Sequence, residues 1–438
     1  MKQVSGFSKL SKVEKINYVV KEVLDGSKST NELIKSYWHD DEEEQKIFDD
    51  FSENTLTNFY FPYGVVPNVL MNDELLCVPM VIEESSVVAA AAKAAKFWSS
   101  RGGFKTEVIS TNKIGQVHFI WHGETSVLEN YFEEVKEELI KEVAPLTKNM
   151  KSRGGGLIDI SLRNKTIDEP GYYQIWAEFN TCDAMGANFI NSVLEAIGKK
   201  FSDLVENNFD GIESEIQVVM AILSNYTPDC RVKAWVECDI DELEDPGHGM
   251  SGREFAEKFS RAVRIAKIDV NRATTHNKGI FNGIDAVVLA TGNDFRAVEA
   301  CGHTWACRDG VYRGLTDVFL EGNRFKFQLE LPLSLGTVGG LTSLHPLAKI
   351  SLDTLGRPSA SKLMEIAATL GLAQNFGALR SLTTTGIQKG HMKMHLMNIL
   401  NHLEASDEER ELVKEKFENE IISFQGVREF LAGIRNYQ

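Results

Sequence analysis

The sequence predicts an α+β protein: a large helix-rich α/β domain, a small ferredoxin-like domain inserted into it, and a mobile helical C-terminal lid. Three observations lead there. With 438 residues, 43% hydrophobic and 25% charged, the chain is long enough for two or three well-buried cores. Between about 105 and 224, strand-like and helical runs follow the order β-β-α-β-β-α, the pattern of a small sheet covered by helices. The tail opens on small residues, Thr383-Thr384-Thr385-Gly386, and continues as charged helix, as a hinge before a moving unit would. The domains then run 1–108 and 225–382 for the two parts of the large domain, 109–224 for the small one, and 383–438 for the lid.

Residues 1–50 read as charged helices, with Asp40 to Glu44 as a helix start whose carboxylates suit the dipole. Two β-rich runs flank Asn72-Asp73 as a hairpin, and the second delivers the chain to Glu83-Glu84-Ser85-Ser86. The alanine-rich segment Val87 to Trp98 follows as a helix capped by Ser85 or Ser86, which leaves Glu84 at a strand–helix junction. In the small domain, strands are expected at Lys105–Ile109, Val117–Trp121, Leu157–Leu162 and Tyr172–Asn180. Glu129–Val143 forms a long helix, and a second helix opens after Thr181-Cys182-Asp183 and runs to about Phe201. The start of that helix is a usable anion site, because Gly186 and Ala187 let a ligand approach outward-pointing N–H groups. Back in the large domain, a strand at Cys230–Cys238, a helix at Gly252–Ile265, strands within Trp305–Leu331 and a core helix from about Ser359 to Leu382 complete the list.

Composition excludes several classes. Lys+Arg 47 against Asp+Glu 63 gives a net charge of −16, which disfavours nucleic acid or an anionic membrane as partner. The six cysteines show no zinc spacing and no C-x-x-C pair, so no metal is expected and a reducing cytoplasm fits. No signal-peptide pattern follows Met1, and no apolar run approaches membrane-span length. The chain has no G-x-G-x-x-G, so a Rossmann site is unsupported.

The stretch from Arg272 to Ala300 organises the rest. The apolar run Ala286 to Ala290 reads as a buried strand, with Lys278 before it and Asp294 just beyond. A lysine held near a carboxylate out of bulk water can meet an oxyanion, although such a pair taken alone is more often an ordinary salt bridge.

The motifs Glu83-Glu84-Ser85-Ser86, DAMGAN (183–188), THNKGI-x-NGI-D (275–285), ATGND (290–294), GLAQN (371–375) and GIQ-x-GHM (386–392) together resemble 3-hydroxy-3-methylglutaryl-CoA (HMG-CoA) reductases of the soluble bacterial class. The resemblance runs from about Ser52 to Asn401. It implies reduction of HMG-CoA to mevalonate and free CoA with two reduced nicotinamide cofactors, as in isoprenoid biosynthesis. It also implies catalytic roles for Glu84, Lys278, Asp294 and His391, with Asp294 between Lys278 and Glu84. Arg272, Ser86, Thr275 and Asn282 would contact the substrate. Asp183, Met185, Gly186 and Asn188 would line the cofactor path, with Asn225 and Val338-Gly339-Gly340 as lesser candidates. Members of the class form homodimers with the active site at the subunit boundary.

Charge argues for the cofactor type. Thr147 to Arg153, before the triplet Gly154-Gly155-Gly156, holds Lys148, Lys151 and Arg153 and no acid. In the family the chain resembles, members that prefer NADH tend to carry a carboxylate near this segment, so the resemblance together with these bases implies NADPH, with NADH as the alternative donor and Lys151 and Arg153 as the discriminating bases. Three departures from the family pattern stand out: Ser85 where proline is usual, Asn54-Thr55-Leu56-Thr57 in place of an Asn-Val-Ile-Gly run, and Leu341 within a shortened glycine series. The competing readings are a CoA-thioester hydrolase and an inactive CoA-binding scaffold.

Overall fold

Polar caps set where the first helices begin. Ser11 closes a capping box on Glu14 before α1 (Lys12–Tyr18), Ser27 caps α2 (Lys28–Lys35), and Asp41 caps α3 (Glu42–Asp49). The computed structural model describes residues 3–244, 249–384, 396–417, 420 and 422–436. Strands β1 (Tyr63–Met71) and β2 (Glu74–Val81) form an antiparallel hairpin. Its turn residues have φ of 47° at Asn72 and 67° at Asp73, the left-handed pair that a two-residue hairpin loop requires and that Asn and Asp tolerate best. Helix α4 (Val87–Ser99) follows.

Strand β3 (Lys105–Val108) does not join the small domain as the sequence suggests. It pairs with β8 (Arg231–Asp239) in a four-stranded antiparallel sheet of order β3-β8-β10-β9, completed by β9 (Thr316–Glu321) and β10 (Arg324–Pro332). The second four-stranded sheet takes β4 (Lys113–Trp121), β5 (Gly156–Asn164), β6 (Tyr172–Asn180) and β7 (Ile216–Leu223) in the antiparallel order β5-β6-β4-β7. Helices α5 (Thr125–Glu142) and α6 (Ala144–Lys151) precede β5, and α7 (Ala187–Asn208) links β6 to β7. The sequence reading missed β7, whose apolar residues alternate only weakly with polar ones, and it stopped α7 short.

Helices α8 (Gly252–Ile268), α9 (Val270–Ala290), α10 (Phe295–Ala306), α11 (Leu341–Leu344), α12 (Pro346–Thr354) and α13 (Ala360–Thr383) return to the larger body. Here the strand expected at Ala286–Ala290 is overturned, because those residues are the last turns of α9. The buried positions Ala273, His276, Asn277, Ile280, Phe281, Ile284, Val287 and Val288 recur at three- and four-residue spacing. A short β-branched run read without its upstream context hides that period. Glycines let α9 lie close against α13: a Cβ on Gly283 would strike the Leu370 carbonyl oxygen, and one on Gly371 would stand 2.7 Å from Ile284 Cγ1.

The described residues pack into three hydrophobic cores. One holds β1, β2, α4, the β3-β8-β10-β9 sheet and helices α8, α9 and α13; another fills the unit from Val117 to Val205. A third, smaller core runs from Leu396 to Leu431. No helix among the described residues is long and apolar enough to cross a membrane.

Candidate active site

Helix α9 presents Thr275, Lys278 and Asn282 on one face, at i, i+3 and i+7. Glu84 arrives from the turn after β2, where Ser86 holds a left-handed φ of 74° and makes no side-chain cap to α4, contrary to the expected serine cap. The Glu84 carboxylate forms an ion pair with Lys278 Nζ and accepts a hydrogen bond from Asn282 Nδ2 at 3.2 Å. Lys278 is therefore not the buried ammonium the sequence suggested: in the single chain its side chain is 58% exposed and that of Glu84 39%. Thr275 lies on the same open face with its hydroxyl donating to the Asn271 carbonyl at 3.1 Å, and Arg272, half-buried, flanks it.

Behind that face the helix is fixed by buried polar groups that the sequence reading passed over. His276 Nε2 meets Thr316 Oγ1 at 2.6 Å, Thr316 donates to Asn375 Oδ1 at 3.2 Å, and Asn375 Nδ2 donates to the His276 carbonyl at 3.3 Å. Asn277 donates to the Arg313 carbonyl and accepts from the Leu315 N–H, both at 2.9 Å. Burial pushes the His276 imidazole down to about 3, so it is neutral, and the partly satisfied network holds the helix in one rotational setting. The clue was the pair His276-Asn277, polar residues sitting on the apolar stripe of α9. On the neighbouring turns, Asp285 faces Glu299 of α10. Burial first, then the charge and hydrogen bond of Glu299, push Asp285 up to about 8.

Asp294 does not sit between Lys278 and Glu84 of its own chain. It caps α10, accepting from the N–H groups of Arg296 and Ala297 at 3.0 and 3.2 Å, and holds the Arg296 guanidinium through Nε at 3.0 Å and Nη2 at 2.9 Å. Burial alone would raise its pKa, but the Arg296 bonds and charge and the Ala297 N–H together hold the carboxyl below its ordinary value. Lys278 and the end of α9 are separated by about 18 Å of helix, so the ion pair and Asp294 occupy different places on one chain.

Asp294 belongs instead to a cleft of about 1410 Å³ whose walls include Met185, Gly186, Asn188, Asn293, Gly336 and Gly339. Neither Glu84 nor Lys278 lines it. One wall is the start of α7, where Gly186 at φ 90° exposes the first N–H groups of a 22-residue helix. Gly336 lies so close that a Cβ there would stand 2.5 Å from the Met185 nitrogen. Asp183 does not line the cleft; its carboxylate accepts the Ala360 N–H at 2.7 Å and thereby ties the loop to the start of α13. Lys151, the last residue of α6, and Arg153, on the turn after it, are exposed, and the Arg153 carbonyl meets Cys182 Sγ at 3.3 Å, which puts this basic turn beside the loop. Asn225 is exposed beyond β7 and does not line the cleft. His391 lies outside the described residues; of the hinge expected at Thr383 to Gly386, Thr383 is the last residue of α13 and Thr384 its C-cap, and the rest lies outside them. Among the described residues, no group of three or more His, Cys, Asp or Glu is placed to hold a metal ion.

The model of the hydroxymethylglutaryl-coenzyme A reductase family matches residues 13–396. The chain belongs to that family. A 3-hydroxy-3-methylglutaryl-coenzyme A reductase of Archaeoglobus fulgidus is 35% identical over 415 residues, which cover 94% of this chain and 90% of the relative. A probable reductase of Borreliella burgdorferi is 33% identical, with 99% and 98% covered. Among solved structures, the reductase of Streptococcus pneumoniae is 35% identical with a TM-score of 0.72, covering 99% of this chain and 100% of that one. A class II reductase structure from the same organism, bound to NADPH in open conformations, is 36% identical with a TM-score of 0.71 over 87% of this chain and 100% of that one.

Proposed function

We propose that the chain reduces HMG-CoA to mevalonate and free CoA, consuming two NADPH and two protons, as an enzyme of isoprenoid precursor synthesis. The observation that carries this reading is the Lys278–Glu84 ion pair, formed by residues of two family motifs that lie 194 positions apart. The S. pneumoniae structure with bound NADPH supports the choice of coenzyme. Three separate cores support the division into a large domain of 1–108 with 225–382, a ferredoxin-like coenzyme domain of 109–224 whose βαββαβ order and antiparallel sheet fit that type, and a C-terminal flap of 383–438.

The cleft suits the coenzyme. Met185, Gly186 and Asn188 at the start of α7 would hold it, Gly336 leaves room for close approach, and Lys151 and Arg153 around the adjacent end of α6 would take a 2′-phosphate. When bound, NADPH supplies hydride first to the thioester carbon and then to the aldehyde carbon. Lys278 meets the negative charge that develops on the carbonyl oxygen in both steps, a preorganised interaction worth several kcal/mol of barrier, about 3 for a typical fixed donor. Glu84, after taking up a proton from solvent, would pass it to the alkoxide and complete the alcohol. The C–S bond breaks between the two reductions, and His391 is the acid assigned to the departing CoA thiolate. Arg272 would pair with the free carboxylate of the substrate, with Ser86, Thr275 and Asn282 around it.

The separation of the two clusters points to a composite site. In a twofold dimer the Lys278–Glu84 pair of one chain faces the Asp294 cleft of its partner, so coenzyme and thioester are brought together across the boundary. Asp294 would then approach the Lys278–Glu84 pair from the other chain.

The test is the loss of nicotinamide absorbance when protein, HMG-CoA and NADPH are mixed. Consumption of two NADPH per CoA released supports the reading. Release of CoA without NADPH would instead show a thioester hydrolase, and no change at all a binding scaffold. Lys278→Ala should abolish both half-reactions; mevaldehyde reduction at the wild-type rate would remove the lysine from its role.

A further inference from the structure

We infer that Lys113, which belongs to none of the family motifs quoted above, is a positioning residue for the coenzyme: its buried ammonium fixes the loop that opens α7. The inference rests on the coenzyme reading of the cleft. Lys113 is the first residue of β4 and is only 4% exposed. Its Nζ donates to Thr181 Oγ1 at 2.7 Å, to the Ala184 carbonyl at 3.0 Å and to the Met185 carbonyl at 3.1 Å. Those three acceptors match the three N–H bonds of an ammonium. Thr181 in turn donates to the Ala184 carbonyl at 2.7 Å, closing a ring of bonds under the loop.

The consequence follows from peptide geometry. In a trans peptide the C=O and the N–H of the next residue point in opposite directions. The Ala184 and Met185 carbonyls turn inward to Lys113, so the N–H groups of Met185 and Gly186 turn away from it. Met185 and Gly186 both line the cleft, and the Met185 nitrogen is the atom that Gly336 approaches. A cation held behind two carbonyls also polarises those peptides, which strengthens the N–H groups as donors to an anion. Burying a charge is costly unless it is fully bonded, so a methionine would serve better here if only bulk were needed. The loop is also tied by the Ala360 N–H to Asp183, by the Thr337 N–H to the Asp183 carbonyl at 2.8 Å, by the Ala184 N–H to the Thr181 carbonyl at 3.0 Å and by a bridge between Ala184 and Val338.

The experiment uses the full-length chain. NADPH is titrated by nicotinamide fluorescence into wild type, Lys113→Met and Thr181→Val without HMG-CoA, and KM is measured for both substrates. The dissociation constant for NADPH should rise at least about tenfold in Lys113→Met and about threefold in Thr181→Val, as expected for losing all or one of the bonds to a charged group. KM for HMG-CoA should stay within about twofold of wild type, since Lys278 and Glu84 sit on another part of the fold. NADPH binding of wild-type strength in Lys113→Met would overturn the inference. So would an equal loss for both substrates in Thr181→Val, which would mark the cluster as a general strut. If Lys113→Met does not fold, Thr181→Val decides alone. Failure of the wild type itself to bind NADPH would overturn the coenzyme reading instead.

Discussion

A composite site makes a quantitative prediction about mixed dimers. Lys278→Ala removes the cation from one cluster, and Asp294→Ala removes the carboxylate from the other. Each homodimer then lacks one group in both sites and should fall by roughly 100- to 1000-fold, the usual loss for a preorganised charge at a reacting oxygen. In a mixed dimer one site lacks both groups, whereas the other takes Lys278 from one subunit and Asp294 from its partner and is complete. Random pairing of equal amounts gives mixed dimers in about half of the population, each with one working site, so the mixture should recover about a quarter of wild-type activity. Mixed dimers purified through two different affinity tags should recover about half. The assay is NADPH oxidation at saturating HMG-CoA, with tag content confirming the pairing. Tagged mixed dimers no more active than the homodimers would refute the reasoning and return both residues to a single chain.

Other consequences can be measured on single variants. Arg153→Glu should raise KM for NADPH about tenfold or more and change that for NADH much less; equal effects would remove the basic turn from coenzyme choice. Gly336→Ala places a methyl 2.5 Å from the Met185 nitrogen, so KM for NADPH should rise while that for HMG-CoA holds, and an unchanged NADPH constant would show that the loop yields freely. Asp285, pushed up to about 8, keeps in the folded state a proton that the unfolded chain releases above the ordinary carboxylate value of 3.8, so stability should decline as pH rises through that window. Asp285→Asn should flatten the decline and be more stable at pH 8 by about 1–3 kcal/mol in urea unfolding; parallel pH profiles for both proteins would contradict the raised Asp285 carboxyl.

What the sequence revealed and what it hid have physical causes. The hairpin was legible because Asn72-Asp73 names its own turn, and α13 because Ser359 caps a long apolar run. The motifs carrying Glu84, Lys278 and Asp294 were legible as local strings. Their mutual geometry was not, because it depends on α9 being helix to its end. Val287 and Val288 favour strand in isolation and are overruled by packing on α13, with Gly283 and Gly371 letting the two helices approach. The direct Lys278–Glu84 contact, the Arg296 clamp on Asp294 and the Lys113 cradle all join residues whose encounter only the fold arranges. Arg296 was within reach of a closer reading, since a capping aspartate two residues before an arginine is a local pattern.

Helix α9 runs unbroken from before Lys278 to Ala290, four residues short of Asp294. On the composite arrangement each such rod has one end in each of the two reaction centres of a dimer. The buried His276–Thr316–Asn375 bonds and the close contact of Gly283 with α13 that hold this rod would then set the position of both centres at once.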